Sequence, residues 1–289
     1  MRCIAGWLLD VYANVHNGLS VWLIDSAGIS HHLYDDVLPY FFVAGTEKEL
    51  RCVCEWFSRA PYPVELKRAK RYEVFERREI TVLQVRLQRV NDYAMSVKRV
   101  AETFPHLRLY HADLTIPQIY FLEKDLFAFA KCEAMVDDKG RIIEIVSKDS
   151  VRALDYALPP LRVMTLSLDG DVSRRETMNP KNPAHGYRAP IVVGYDNREY
   201  VLPESSPKWM LESLRRHLLL YDPDVILSQY GDSYILGYLM SLERECGVEL
   251  PLSRDRKMHI RSRRAHDLST RSPLVIWAAA CGYGRRDLV

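Results

Sequence analysis

Three things are scarce in this sequence of 289 residues. The first is a surplus of charge. Forty Lys and Arg stand against 38 Asp and Glu, a net charge of +2. No global field draws the chain to nucleic acid, and any such contact must come from local patches. The second is a long apolar run. None reaches the roughly 18 residues of a membrane-spanning helix. Asp10 also interrupts the apolar stretch Ile4–Val11. Neither a membrane span nor a signal peptide is expected, and the expected location is the cytoplasm. The third is organised cysteine. Cys3, Cys52, Cys54, Cys132, Cys246 and Cys281 are scattered, with no CxxC pair and no Cys/His spacing of a zinc site. They read as reduced, packed thiols. P-loop, GxGxxG and GxSxG patterns, internal repeats and low-complexity tracts are all absent.

What is present is an ordinary globular composition, 48% hydrophobic and 27% charged, enough to bury a core. The length suggests about two domains. Residues 3–45 read as a small antiparallel sheet, with strands at Leu19–Ile24, Ser30–Leu33 and Tyr40–Val43 and a turn at Asp25–Gly28. Thr46-Glu-Lys-Glu49 is a capping box. It opens a helix with Leu50, Val53, Cys54 and Phe57 on one face, ended by Pro61 and Pro63. Glu65–Val90 returns to charged, strand-like runs. Asn91 is the expected cap of a second helix, with Tyr93, Val97, Val100 and Phe104 at helical spacing. A short strand follows at Leu107–Ala112, then a helix from Thr115 to about Phe127. A hairpin turns at Asp137-Asp-Lys-Gly140.

Pro159-Pro160 can continue neither a ladder nor a helix, and the domain boundary is placed at Ala157–Pro160. Beyond it, Leu161–Leu168 is a buried strand running into Asp169-Gly170-Asp171. Strands at Pro190–Tyr195 and Glu199–Leu202 follow. Ser206–Leu220 is amphipathic, with Trp209, Leu214 and Leu218 among its apolar positions. Val225–Leu227 is a short buried strand, and Ser233–Glu245 is a helix. Strands followed by alternating helix and strand indicate an α/β layer with a mixed sheet.

Two acidic groups stand out. Asp169 and Asp171 end a buried strand two residues apart, a spacing that places both on one face. Hard carboxylate oxygens suit magnesium or manganese, although a solvated Asp-Gly-Asp turn has the same sequence. The second group is Tyr221-Asp-Pro-Asp-Val-Ile-Leu-Ser-Gln-Tyr-Gly-Asp-Ser-Tyr-Ile-Leu-Gly-Tyr-Leu239, an acidic turn, a buried strand, a polar break and a helix.

This stretch resembles the second exonuclease motif of family B DNA polymerases. The order and spacing of residues 161–240 match that family's first exonuclease strand, helix, Asp-Pro-Asp strand and Asn-x-x-Phe-Asp. The first domain resembles the same family at Trp7-Leu-Leu-Asp-Val11, Val21-Trp-Leu-Ile-Asp25 and Pro39-Tyr-Phe-Phe-Val43. It does so most specifically at Leu109-Tyr-His-Ala-Asp-Leu-Thr-Ile-Pro-Gln-Ile-Tyr-Phe-Leu-Glu123. The resemblance is closest to bacterial members of the type represented by DNA polymerase II. It implies an α/β chain in three parts: an α+β amino-terminal domain over 1–157, an incomplete ribonuclease H-like 3′–5′ exonuclease-like domain over 158–250, and a basic tail over 251–289.

The family's exonuclease is a two-metal hydrolase. By the match, Asp169 takes the first carboxylate place and the shorter Asp171 takes that of a Glu. Ile235 stands where a metal-binding Asp is expected, and Tyr230 stands where the family has Asn. Asp232 is a substitute ligand, or else a loop residue or helix cap. Magnesium or manganese is implied only if activity remains. Tyr283 and Asp287 meet the third motif's Tyr-x-x-x-Asp spacing but arrive too early. The resemblance implies an inactivated exonuclease site in a chain that binds DNA, as a single strand or primer end, or assembles with a separate palm and thumb chain. The other readings are a residual exonuclease and a truncated remnant.

Cations gather in Lys67-Arg-Ala-Lys-Arg71, in Arg77-Arg78, and in Arg254, Arg256, Lys257, Arg261, Arg263 and Arg264. Such clusters suit phosphate contacts or form solvated faces. With Tyr230 for stacking, Arg254, Arg256, Lys257 and Arg261 are the nucleic-acid contact candidates. His31-His32, His111-x-Asp113 and His266-Asp267 lack the converging ligands of a metal site.

Overall fold

The structure, a computed structural model, describes residues 1–14, 16, 18–153, 155–169, 189–228 and 231–252. The chain divides into two compact units, Met1–Pro160 and Leu161–Val289.

The first unit holds two sheets. One has the order β3-β2-β1-β8-β9, built from β1 (Arg2–Ala13), β2 (Leu19–Ile24), β3 (Ser30–Asp35), β8 (Lys131–Val136) and β9 (Ile142–Ser147), all neighbours antiparallel. All six residues of β2 are buried, as its β-rich sequence predicts. Its turn is closed by Asp25, whose carboxylate accepts from the Ala27 and Ile29 amides at 2.9 Å. Asp137 does the same for Lys139 and Arg141 in the β8–β9 hairpin, with Gly140 at φ 80°. At Gly6 a Cβ would lie 2.5 Å from the Ile24 carbonyl oxygen, so only glycine lets β1 pass the end of β2.

The second sheet has the order β5-β6-β4-β7: β4 (Tyr40–Ala44), β5 (Val64–Glu73), β6 (Arg78–Leu87) and β7 (Arg108–Tyr110). The Tyr40 strand therefore belongs here rather than with β1–β3, a correction to the single sheet expected for residues 3–45. Helix α1 (Glu47–Phe57) follows β4 and α2 (Tyr93–Thr103) follows β6, giving β-α-β-β-α-β. The predicted capping box at Thr46 and Glu49 is formed. Leu50, Val53 and Phe57 of α1 and Tyr93 and Val100 of α2 share a buried cluster with Phe41, Val43, Leu83 and Val85, so both helices cover one sheet face. Asn91 lies inside a 3-10 turn, Val90–Asp92, so the N-cap position of α2 falls to Asp92, whose side chain makes no capping hydrogen bond. Helix α3 (Ile116–Lys124) opens with a second capping box, Thr115 with Gln118. It stops at Asp125 in the left-handed conformation, short of the Phe127 expected. Its Tyr120 is buried and donates a 2.7 Å hydrogen bond to Asp35.

The second unit is a mixed sheet in the order β12-β11-β10-β13. Strands β10 (Val163–Leu168), β11 (Ile191–Tyr195) and β12 (Arg198–Val201) form an antiparallel meander. Asp196 and Asn197, both at positive φ, make the two-residue turn that β11–β12 requires. Helix α4 (Pro207–Tyr221) then carries the chain to β13 (Val225–Ser228), which pairs parallel to β10 from Val163↔Val225 to Leu166↔Ser228. Parallel neighbours need such a crossover. A π-helical turn, Gly231–Ile235, leads into α5 (Leu236–Cys246). The core is Met164, Leu166, Val193, Leu214, Ile226 and Leu239 with their neighbours. Trp209, expected on the buried face of α4, is 53% exposed; Met210, Leu211, Leu214 and Leu218 form that face instead.

Candidate functional site

Because β10 and β13 run parallel, both end at one edge of the sheet, where α/β folds place their ligand crevices. Asp169 directly follows β10 and is exposed, and its backbone amide donates to the Pro190 carbonyl at 2.7 Å, which fixes its place beside the start of β11. Ser228, the last residue of β13, donates its hydroxyl to the Leu166 carbonyl at 2.8 Å, tying the two strand ends together. The chain then returns close over Ser228: a Cβ at Gly231 would stand 3.0 Å from the Ser228 Cβ. The π-helical turn follows at once. Inserted π turns often mark functional positions. Here the turn ends in Ile235, which is fully buried and belongs to the same apolar cluster as Leu166 and Leu239.

The other end of the strand pair carries the Asp-Pro-Asp segment. Asp222 caps α4 in the left-handed conformation, and Pro223 prevents the helix from continuing. Asp224 is fully buried. It accepts from the Arg162 backbone amide at 2.9 Å and from that residue's Nε at 3.2 Å and Nη2 at 3.0 Å. Arg162 Nη2 also meets Asp222 at 3.0 Å. Bonding to Asp224 holds the guanidinium above its ordinary pKa. The Arg162 carbonyl in turn receives the amides of Asp224 and Val225. These acids therefore join the starts of β10 and β13, away from the Asp169 edge. Arg162 carries no local sequence mark of this role, since its partner lies 62 residues away.

Of the site residues expected from the sequence, Asp169 is described at the strand edge. Asp232 falls in the π-helical turn, but its side chain lies outside the described part of the structure. Asp171, Tyr230, Arg254, Arg256, Lys257 and Arg261 lie outside the described residues. Among the described residues, no three His, Cys, Asp or Glu side chains converge as a metal centre. At this edge the described chain offers a divalent cation the carboxylate of Asp169, while Ile235 is turned into the core. Tyr195 packs within the second unit. Its ring lies 4.4 Å from Tyr221 and 5.1 Å from Tyr200, and its hydroxyl is 2.9 Å from His217 Nδ1. In the first unit His31 bonds Asp25 at 2.9 Å and His32 stacks on Trp22 at 4.2 Å.

The fold matches the amino-terminal and exonuclease region of a family B DNA polymerase. The solved structure of the family B DNA polymerase from the hyperthermophilic archaeon Pyrobaculum calidifontis aligns over 87% of this chain and 34% of its own, with a TM-score of 0.65 and 21% identity. A curated relative, a DNA polymerase of Archaeoglobus fulgidus, is 20% identical over 263 residues, 88% of this chain and 32% of its own length. The chain thus spans about a third of the length of the relatives it matches. No family model matches it. Among the described residues, no helix is long and apolar enough to cross a membrane.

Proposed function

We propose that this chain is the amino-terminal and exonuclease-like portion of a family B DNA polymerase, of the type represented in bacteria by DNA polymerase II. It serves by binding DNA and by assembling with the polymerase, in replication or repair in the cytoplasm, and not by cleaving. Residues 1–157 form the amino-terminal domain, 158–250 the exonuclease-like domain and 251–289 a basic tail. The observation that carries the reading is Ile235. Where the family resemblance puts a metal-binding carboxylate, an aliphatic side chain is buried in the core. Losing one ligand of a two-metal site removes several kcal/mol of transition-state stabilisation, on the order of 10³-fold in rate. Tyr230, Arg254, Arg256, Lys257 and Arg261 are the proposed DNA contacts of this half.

The alternative is a residual 3′–5′ exonuclease. In its favour Asp169 is exposed at the end of two parallel strands, and Asp171 and Asp232 would be its companions in holding magnesium or manganese. One assay separates the readings: purified protein with end-labelled single-stranded DNA, magnesium or manganese, and Asp169→Ala in parallel. The expected result is a salt-sensitive shift without shortening, the same for both proteins. Shortening that Asp169→Ala abolishes would overturn the non-cleaving reading.

A further inference from the structure

Helix α4 has an outward face unlike that of an ordinary solvated helix. Met210, Leu211, Leu214 and Leu218 turn inward and share the core with Leu166, Val193 and Leu239. At about 100° per residue, the direction opposite to these four passes between Glu212 and Arg216, with Trp209, Leu219 and Leu220 flanking it. All five are exposed, Leu220 to 77%. The solvent side of such a helix is normally polar. Single apolar side chains on a surface need no explanation. Three on the outward side of one helix, a tryptophan among them, mark an interaction face.

Two further observations say what covers it. The first is a pair of charges left open. Glu212 and Arg216 stand four residues apart, the spacing at which an acid and a base close on each other along a helix. Lys98 and Glu102 of α2 do so. Glu212 and Arg216 form no ion pair among the described residues, with each other or with any other side chain. The second is the order along the face. From the amino end it runs apolar, acidic, basic, apolar: Trp209, Glu212, Arg216, then Leu219 with Leu220. Reversed, it runs the same except that the charges change places. A two-fold axis perpendicular to the helix, midway between Trp209 and Leu220, therefore sets Trp209 on Leu220 of the partner subunit and Glu212 beside Arg216 of the partner subunit. Such self-complementarity is what an isologous contact requires. A purely acidic or purely basic partner would leave one of the two charges opposed.

We propose that the chain pairs with a second copy of itself through the outward face of α4, as an antiparallel helix pair. The axes cross at the shallow angle, about 20°, that keeps both ends of the 15-residue helices in contact. One helix pair buries little surface. Interfaces below about 1,200 Å² are weak and transient, so the dissociation constant falls in the micromolar range. The inference stands on the second unit alone and is independent of whether the chain binds or cleaves DNA.

The test is analytical sedimentation of the nuclease-treated full chain over a wide range of concentration. The expected result is a monomer that passes to a dimer, with no larger species. Leu219→Gln/Leu220→Gln keeps the charge and enters the contact twice, and should raise the dissociation constant roughly a hundredfold. Glu212→Arg sets like charges against each other, as does Arg216→Glu, and each should raise it roughly tenfold. Glu212→Arg/Arg216→Glu restores opposite charges and the original net charge, and should return the constant to within about threefold of wild type. A helix damaged by one substitution would not recover with the second, so recovery separates the contact from misfolding. The proposal is overturned if the wild-type chain is monomeric at every concentration, which would leave the face to a protein of another sequence. It is overturned equally if the dimer survives Leu219→Gln/Leu220→Gln, or if the double charge exchange is as weak as the single ones. Either result would put self-association on another surface.

Discussion

At position 235 an isoleucine is fully buried beside Leu166 and Leu239, and the chemistry proposed for the chain depends on which way that side chain faces. The sequence shows that position 235 carries no ligand, but not where the aliphatic group goes. The π-helical turn advances the chain by an unusual angle just before α5, and Gly231-Asp-Ser-Tyr-Ile235 carries no local signal for it. The consequence is testable. Restoring the carboxylate with Ile235→Asp should not restore cleavage. It should instead destabilise the second unit by about 3 kcal/mol or more, the cost of an unpaired acid in an apolar core. Ile235→Val should cost only about 1 kcal/mol. Urea denaturation of the two variants beside the wild type measures the difference, and a cleaving Ile235→Asp protein of normal stability would contradict the placement.

The seam between β10 and β13 depends on polar contacts at both ends. Ser228 closes the end near Asp169, and Arg162 with Asp224 closes the other. Asp224→Ala should destabilise the chain by about 2–3 kcal/mol. It removes a fully buried acceptor of three hydrogen bonds, and the loss is moderated because Arg162 is partly exposed and keeps Asp222. A thermal melt unchanged by Asp224→Ala would show the contact to be incidental. Elements of this size were legible where their signals are local. The capping box read from the Thr46-x-x-Glu49 spacing is formed, and the Asp137–Gly140 turn lies where its residues put it. Contacts between distant segments were not. Arg162 has no sequence mark of its role. Trp209 lies one position off the stripe set by Met210, Leu214 and Leu218, an offset of about 100° on a helix, which is enough to turn a large ring outward.

Across the whole chain, the mixed α/β class and the order of strands and helices were readable from periodicity, while the partition of strands between sheets was not. Tyr40–Ala44 has the same β-rich, apolar character as Leu19–Ile24, and nothing within five residues says that its partners are β6 and β7 rather than β2 and β3. That partition has a consequence in time. The β4-to-β7 module is one continuous run of chain, set between the two parts of the other sheet, so its pairings close shorter loops than the pairing of β1 with β8. The amino-terminal half of β1 pairs with β8, Arg2 opposite Val136, and must wait until the chain has been made almost to the end of the first unit. Contacts that close long loops form late. Pulsed hydrogen exchange during refolding should therefore protect amides of β4 and β6 before those of β8, and simultaneous protection would contradict this order. Until then the outer edge of β1 stays open and can pair with another chain. For this protein the vulnerable interval is during synthesis, and the last strands of the first unit are what end it.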